Sequence, residues 1–479
     1  MPNDEVNEHG RFWLAGTPID EGRRFPAGVV DGTLTIDGNG MIRLRCPITP
    51  NNPNRLVINN KNDVIVGYLP QSDRFVYLTQ IDFFHPLPPI SARFCLIGNA
   101  SLSCMPKIDD ETDIVISLDG FENWLGLPFP RYEDREDGTG ALISMETQNH
   151  NYELSSVNYS IKIETDWKVE WPLVGKGTMT ASGTILLKPR SAKTLLELAD
   201  TVLKLEEFLL LLTNQHRSLA WPRIERQENE FIFYHHSQSN RGRSEIDTFD
   251  CWIPFPSIAV QFGYILNKWL DQNENLTLSC GFYAATRRAS TLYLDHQFVS
   301  LVWALEAMSR NESEVPEDHK LSEKIARILD QAREKPCLKS SDRRWLENIL
   351  DRAKEPPLKD RLFSLFKSLP LGLGKSELQK FAKSCADRRN ELSHFAGLKQ
   401  DKSATRTHND FIQDLVKLTP ALDLLCHAKI LQTIGVPNDL IRNAFLLRSE
   451  NRHHMREAGL PLPDPPAPTL PSPPSGAPA

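Results

Sequence analysis

The stretch C-A-D-R-R-N-E-L-S-H-F-A-G, residues 385–397, places Arg389, Asn390 and His394 within two helical turns. A guanidinium offers a fixed fork of donors to an oxyanion, and an imidazole titrates near neutral pH and can give or take a proton. Together they suit acid–base chemistry at an anionic centre, with Asn390 placed to orient either the imidazole or the anion. Leu378, Ala382, Cys385, Leu392 and Ala396 follow a three- or four-residue rhythm, which predicts a helix capped at Ser376 and stopped at Gly397. The position that completes this stripe is 389, and it holds arginine. A cation on a packed face is costly unless it is paired or faces a polar cleft. Arg389 and His394 are about 140° apart around a regular helix axis. They would meet only if the helix end distorts or if another element, such as a two-fold copy of the chain, completes the site. The alternative is an arginine neutralised by an acid such as Glu306, with His394 favoured by the helix dipole. Spacing by itself favours that alternative.

The elements that must hold these residues change character along the chain. The first 190 residues carry short alternating runs separated by Pro and Gly. The runs Thr33–Ile36 and Met41 onward, around D-G-N-G, predict a hairpin. Residues 1–190 are therefore expected to form a β-rich, sandwich- or barrel-like domain. From Ala192 to Leu212 the period becomes helical, with Leu195, Leu198, Val202, Leu205, Leu209 and Leu212 on one face. This helix and the strand-like E-F-I-F-Y-H-H make 191–255 a linking region. Residues 256–450 are expected to be an all-α bundle. Its stripes are Leu294, Phe298, Leu301, Leu305, Met308 and then Phe411, Leu415, Leu418, Leu422, Leu425, with a stop at Gly435. Residues 451–479 end in a proline-rich run and are expected to be a disordered tail. The fold class is thus α+β. G-L-G-K-S at 372–376 lacks the first glycine of a phosphate loop, since residue 369 is leucine, and a helix rather than a strand precedes it.

Net charge is −7, yet the segment His319–His408 carries a basic excess, which fits a polyanion partner or a solvated helical face. Eight cysteines without a C-x-x-C pair suit reduced thiols, so neither a disulfide framework nor a metal site is expected. The acidic N-terminus lacks a secretory pattern and no run approaches the roughly 18 apolar residues of a membrane span. A cytoplasmic chain without membrane contact is expected.

R-N-E-L-S-H at 389–394 resembles the R-x4-6-H signature of the HEPN superfamily. F-V-S-L-V-W-A-L-E-A-M at 298–308 is similar to the "L-E-A" helix of the Apea-like HEPN domain. R-F-W-L-A-G-T-P and D-G-T-L-T-I-D, within 11–37, with the later L-E-E-F-L-L-L-L-T helix, resemble the N-terminal domain that accompanies it. The resemblance implies a helical bundle that dimerises through its HEPN domain. It implies a metal-independent endoribonuclease acting in anti-phage abortive infection on RNA, with tRNA as the expected class, and a phage protein as a possible trigger. Catalysis would fall to Arg389, Asn390 and His394. Lys383, Arg388 and Glu306 are weaker candidates for RNA contact. No cofactor is implied. The resemblance does not carry a zinc site in the front domain over to this chain, because its cysteines there, Cys46, Cys95 and Cys104, include no close pair. A non-catalytic module that binds RNA, a nucleotide or a protein partner is the alternative.

Overall fold

Alternating apolar and polar residues in the front half become antiparallel strands with one face in a core, and the leucine stripes further on become helices. The computed structural model describes residues 5–464 except 20, 27, 47–55, 57, 59, 83–88, 100–105, 128–130, 135–140, 174–175, 216–218, 237–250, 272–273, 289–291, 312–318, 335–338, 353–355 and 394–406. The chain divides into two units, Met1–Asp271 and Gln272–Ala479.

In the first unit, β1 (Val6–Leu14), β2 (Val30–Ile36), β3 (Ile42–Arg45), β4 (Ile65–Leu69), β5 (Arg74–Asp82) and β6 (Ile90–Gly98) pair in the order β6-β3-β2-β1-β4-β5. A further β5–β6 ladder closes them into a barrel. Closure depends on β6. Its Ile90–Ala92 end pairs with β3, its Phe94–Gly98 end pairs with a later strand, and its other edge runs along β5. Phe12, Leu34, Ile42, Leu44, Ile65 and Val76 fill the barrel. The β2–β3 hairpin forms as expected, with Ile36 opposite Ile42.

The turn of that hairpin is fixed by Gly40, whose φ is 75° and whose missing Cβ would lie 2.0 Å from the His235 carbonyl oxygen. Gly40→Ala should therefore cost about 3–5 kcal/mol, combining a left-handed backbone with a backbone clash. Chemical denaturation of the full chain checks this, and a loss below about 1 kcal/mol would contradict it.

The rest of the first unit comprises β7 (Asp113–Ser117), α1 (Phe121–Leu125), β8 (Arg131–Asp134), β9 (Ala141–Ser144), β10 (Asn149–Leu154), β11 (Tyr159–Leu173), β12 (Lys176–Pro189), α2 (Leu195–Thr213), β13 (Arg223–Arg226), β14 (Asn229–His235), α3 (Phe255–Ile258) and α4 (Phe262–Leu270). The sheet continues from β6 through β14, β13, β7, β12 and β11 to β10, while β8 and β9 pair separately. The predicted leucine stripe of α2 is buried throughout. A capping box between Thr194 and Glu197 starts that helix. Buried Trp124 and Trp269 donate their indole N–H groups to the carbonyls of Ile253 (2.9 Å) and Lys204 (2.7 Å). The segment read as a link, 191–255, and the helices α3 and α4 thus belong with the β-rich unit.

The second unit consists of α5 (Glu274–Arg288), α6 (Leu294–Asn311), α7 (His319–Glu334), α8 (Ser340–Arg352), α9 (Leu358–Lys367), α10 (Lys375–Ser393), α11 (His408–Thr433), α12 (Asn438–Leu446) and α13 (Ser449–Glu457). In α11, Leu415, Leu422 and Leu425 are fully buried. The chain leaves that helix at Gly435, with φ 90° and the Val436 N–H on the Leu431 carbonyl at 3.0 Å, as the glycine predicts. Two boundaries differ from the sequence reading. Helix α10 begins at Lys375, with the Leu378 N–H bonded to the Gly374 carbonyl at 3.0 Å, so Ser376 lies inside the first turn rather than capping it. The disordered tail expected from 451 does not start there, because 449–457 form α13. Asn451 and Met455 of α13 are buried, as are Leu460 and Leu462 beyond it, and residues 465–479 lie outside the described part. The connection G-L-G-K-S follows helix α9, which agrees with its dismissal as a phosphate loop.

A buried polar network joins α5 to α11. Arg287 pairs with Asp423 at 2.7 Å and donates to the Tyr283 hydroxyl at 2.9 Å, which bonds His427 Nδ1 at 2.9 Å. Burial pushes the Asp423 carboxyl up, against the pull of Arg287 and His454. Arg287→Met should cost about 3–5 kcal/mol by stranding that carboxylate in the interior. Pairing it with Asp423→Leu should recover much of the loss. Melting curves of the single and double variants check this, and equal losses in both would contradict it. The raised Asp423 carboxyl also sets a sign. As pH rises from 3.8 through its folded-state value, the native state binds the proton longer than the unfolded chain does, so this group lowers stability across that window.

Candidate functional site

Helices α6, α9 and α10 pack on one another, and each contributes a charged residue to one point. Along α10 the apolar stripe Leu378, Ala382, Cys385 is buried. The next step of that stripe is Arg389, half-buried, whose guanidinium reaches α6. There its Nη2 lies 3.0 Å from Glu306 Oε2. Arg361 of α9 approaches the other oxygen, with Nη2 3.0 Å from Glu306 Oε1. Arg310, one turn further along α6, lies 3.5 Å from the same Oε1. The Glu306 side chain is 13 % exposed, Arg361 11 % and Arg389 24 %.

One carboxylate therefore faces the forks of Arg361 and Arg389 together, and those two guanidiniums leave one positive charge in excess. Ion pairs this far from water are tolerated only when their remaining hydrogen-bonding capacity is used. Among the described residues it is not fully used. The Nε atoms of both Arg361 and Arg389 are buried without a hydrogen-bond partner among the described residues. Among the described residues Arg361 Nη1 reaches the Ser309 hydroxyl, at a long 3.5 Å. Such donors have capacity left for a water or an anion. Asn390 sits at the edge of the cluster, exposed, its Oδ1 3.3 Å from Arg389 Nη1.

The residues singled out from the sequence fall into three groups. Arg389, Asn390 and Glu306 come together. The pairing of Arg389 with Glu306 is the neutralising contact that spacing alone favoured, and it does not exclude the acid–base reading because Arg361 shares the carboxylate. Lys383 is exposed on α10, and Arg388 is buried. Arg388 lies 2.5 Å from Glu391 and 3.9 Å from Asp414 of α11, with its guanidinium 5.7 Å from the Phe411 ring centroid. His394, Phe395, Ala396 and Gly397 follow the last residue of α10 and lie outside the described residues. Arg361 was not singled out, although it opens the amphipathic run R-L-F-S-L-F-K-S-L. The one signal that could have found it is a cation at the edge of an otherwise apolar stripe, the same signal that marked Arg389.

Among the described residues no group of histidine, cysteine, aspartate and glutamate side chains is arranged to hold a metal ion, and no helix is long and apolar enough to cross a membrane.

The family model for Apea-like HEPN matches residues 299–440, which contain most of α6 and all of α9 and α10, and hence Glu306, Arg310, Arg361 and Arg389. The model for ApeA N-terminal domain 1 matches residues 7–269, nearly the whole first unit and more than half of the chain. No match was found among curated proteins or solved structures. Barrel-bearing front, helical second unit and both matches agree: the chain belongs to the Apea-like HEPN family.

Proposed function

We propose that this protein is an endoribonuclease of anti-phage abortive infection that cleaves RNA without a metal ion, with tRNA as its expected substrate class. The observation that carries the reading is the pair of guanidiniums of Arg361 on α9 and Arg389 on α10 that share the Glu306 carboxylate, each with a buried Nε lacking a partner among the described residues, Arg389 lying in the last turns of the helix whose sequence runs on into His394. RNA supplies its own nucleophile. The 2′-OH attacks the adjacent phosphorus, the P–O5′ bond breaks, and the products are a 2′,3′-cyclic phosphate and a 5′-OH end. His394 accepts the 2′-OH proton or donates one to the leaving 5′ oxygen. Arg389, steadied by Glu306, offers its fork to the non-bridging oxygens as charge develops on the phosphorane. Asn390 orients the phosphate or the imidazole.

One histidine cannot hold both protonation states at once. A homodimer through the helical unit would bring in the second copy's His394 and divide the acid and base duties. Lys383, exposed on the same helix, suits a backbone phosphate contact, whereas Arg388, buried and paired with Glu391 and with Asp414 of α11, is suited to anchoring α10 on α11. A phage protein acting as trigger and a cytoplasmic location complete the reading.

The test is direct. Purified protein should cut RNA in EDTA, and its binding to uncleaved RNA should weaken steeply as salt rises, in proportion to the phosphates it neutralises. RNA that is retained in a gel but never cut, with or without phage extract, would instead favour the non-catalytic binding module.

A further inference from the structure

Trp303 stands on α6 three residues before Glu306 and seven before Arg310, so the three share one face of the helix. That face is turned away from the buried Leu301, Leu305 and Met308, and the Trp303 residue is 41 % exposed. Its ring is not loose. Phe282 of α5 backs it at a centroid distance of 5.6 Å with the planes 53° apart. Leu278, one turn earlier on α5, is 54 % exposed. An aromatic ring is thus backed by a second ring at the surface, and its Cβ lies about 5–6 Å from the Cβ of Glu306, the residue on whose carboxylate Arg361 and Arg389 converge.

A large ring left in water beside such a charge cluster calls for an occupant that is flat and apolar at one end and anionic at the other. A nucleotide is both: its base has a π-face for the indole and its phosphate suits the guanidiniums. We propose that Trp303 is the stacking platform for an unpaired base next to the phosphate held by Arg361 and Arg389, so that the protein acts on single-stranded or looped RNA rather than continuous duplex. This rests on the RNA-cleaving reading above. In a duplex each base is already stacked on its neighbours and is not offered to a protein ring, whereas loops and single strands present splayed bases.

The test uses the full chain carrying His394→Ala, which is expected to bind without cutting. The probe is a single-stranded oligoribonucleotide of about ten nucleotides with one 2-aminopurine. Trp303→Ala should weaken binding by about 5–100-fold and abolish the fluorescence change on binding, while Trp303→Phe retains most of both. Binding of a duplex of the same sequence should be the same in all three proteins. Sedimentation in parallel reads the oligomeric state. Unchanged single-strand affinity in Trp303→Ala overturns the stacking role. So does a drop in assembly mass with affinity per assembled protein intact, which would make the ring a subunit contact. If the parent protein cuts RNA and only the Trp303 result fails, stacking alone falls; if the unsubstituted protein neither binds nor cuts RNA, the nuclease reading falls with it.

Discussion

Arg389→Ala should lower RNA cleavage by about 10²–10³-fold while shifting stability by only about 1–2 kcal/mol. The two effects separate because of Arg361. When Arg389 is lost, Glu306 keeps a guanidinium at 3.0 Å on its other oxygen and Arg310 at 3.5 Å, so no buried charge is stranded. If Arg389 were simply the partner that neutralises Glu306, the same substitution would unfold the helical unit. A thermal melt beside a cleavage assay distinguishes the two: a folded, silent variant supports a role in chemistry, and a melted one supports a structural role.

Glu306→Ala is expected to do the opposite to the fold. It leaves Arg361 and Arg389, both largely buried, facing each other without an acid, and should cost about 3–5 kcal/mol. Cleavage should be lost as well, because Arg389 would no longer be held in place. The combination Glu306→Leu, Arg361→Met and Arg389→Met removes all three buried charges and should restore much of the stability while leaving no activity. Recovery of both fold and cleavage in the triple variant would contradict the assignment. So would a Glu306→Ala protein as stable as the parent.

How legible these features were in the sequence depended on the range of the contacts that make them. The β2–β3 hairpin is local, and D-G-N-G between two alternating runs marked it. The α2 and α11 stripes are also local, and every predicted leucine in them is buried or nearly so. Barrel closure is not local. It depends on β6 serving β3, β14 and β5 at once, which no periodicity records. Helix α13 was hidden by its composition, since S-E-N-R-H-H-M-R-E offers a single apolar side chain, Met455, to the core.

The candidate site divides in the same way. Arg389 stood out because it broke a stripe, and Glu306 could be named as the acid to meet it. Arg361 has its partner 55 residues away, and Arg389 has its partner 83 residues away. Only the packing of α6, α9 and α10 reveals that both arginines share one carboxylate. That sharing changes the meaning of the ion pair from closed to open, since the two Nε donors still lack acceptors among the described residues.

The measurement that tests the central claim most directly is the mapping of RNA ends in cells expressing either the parent protein or His394→Ala, with and without phage. The account predicts new 2′,3′-cyclic phosphate and 5′-OH ends at defined sites in phage-exposed cells with the parent protein, and none with His394→Ala. Equal cutting by His394→Ala, or ends bearing 3′-OH and 5′-phosphate, would contradict it.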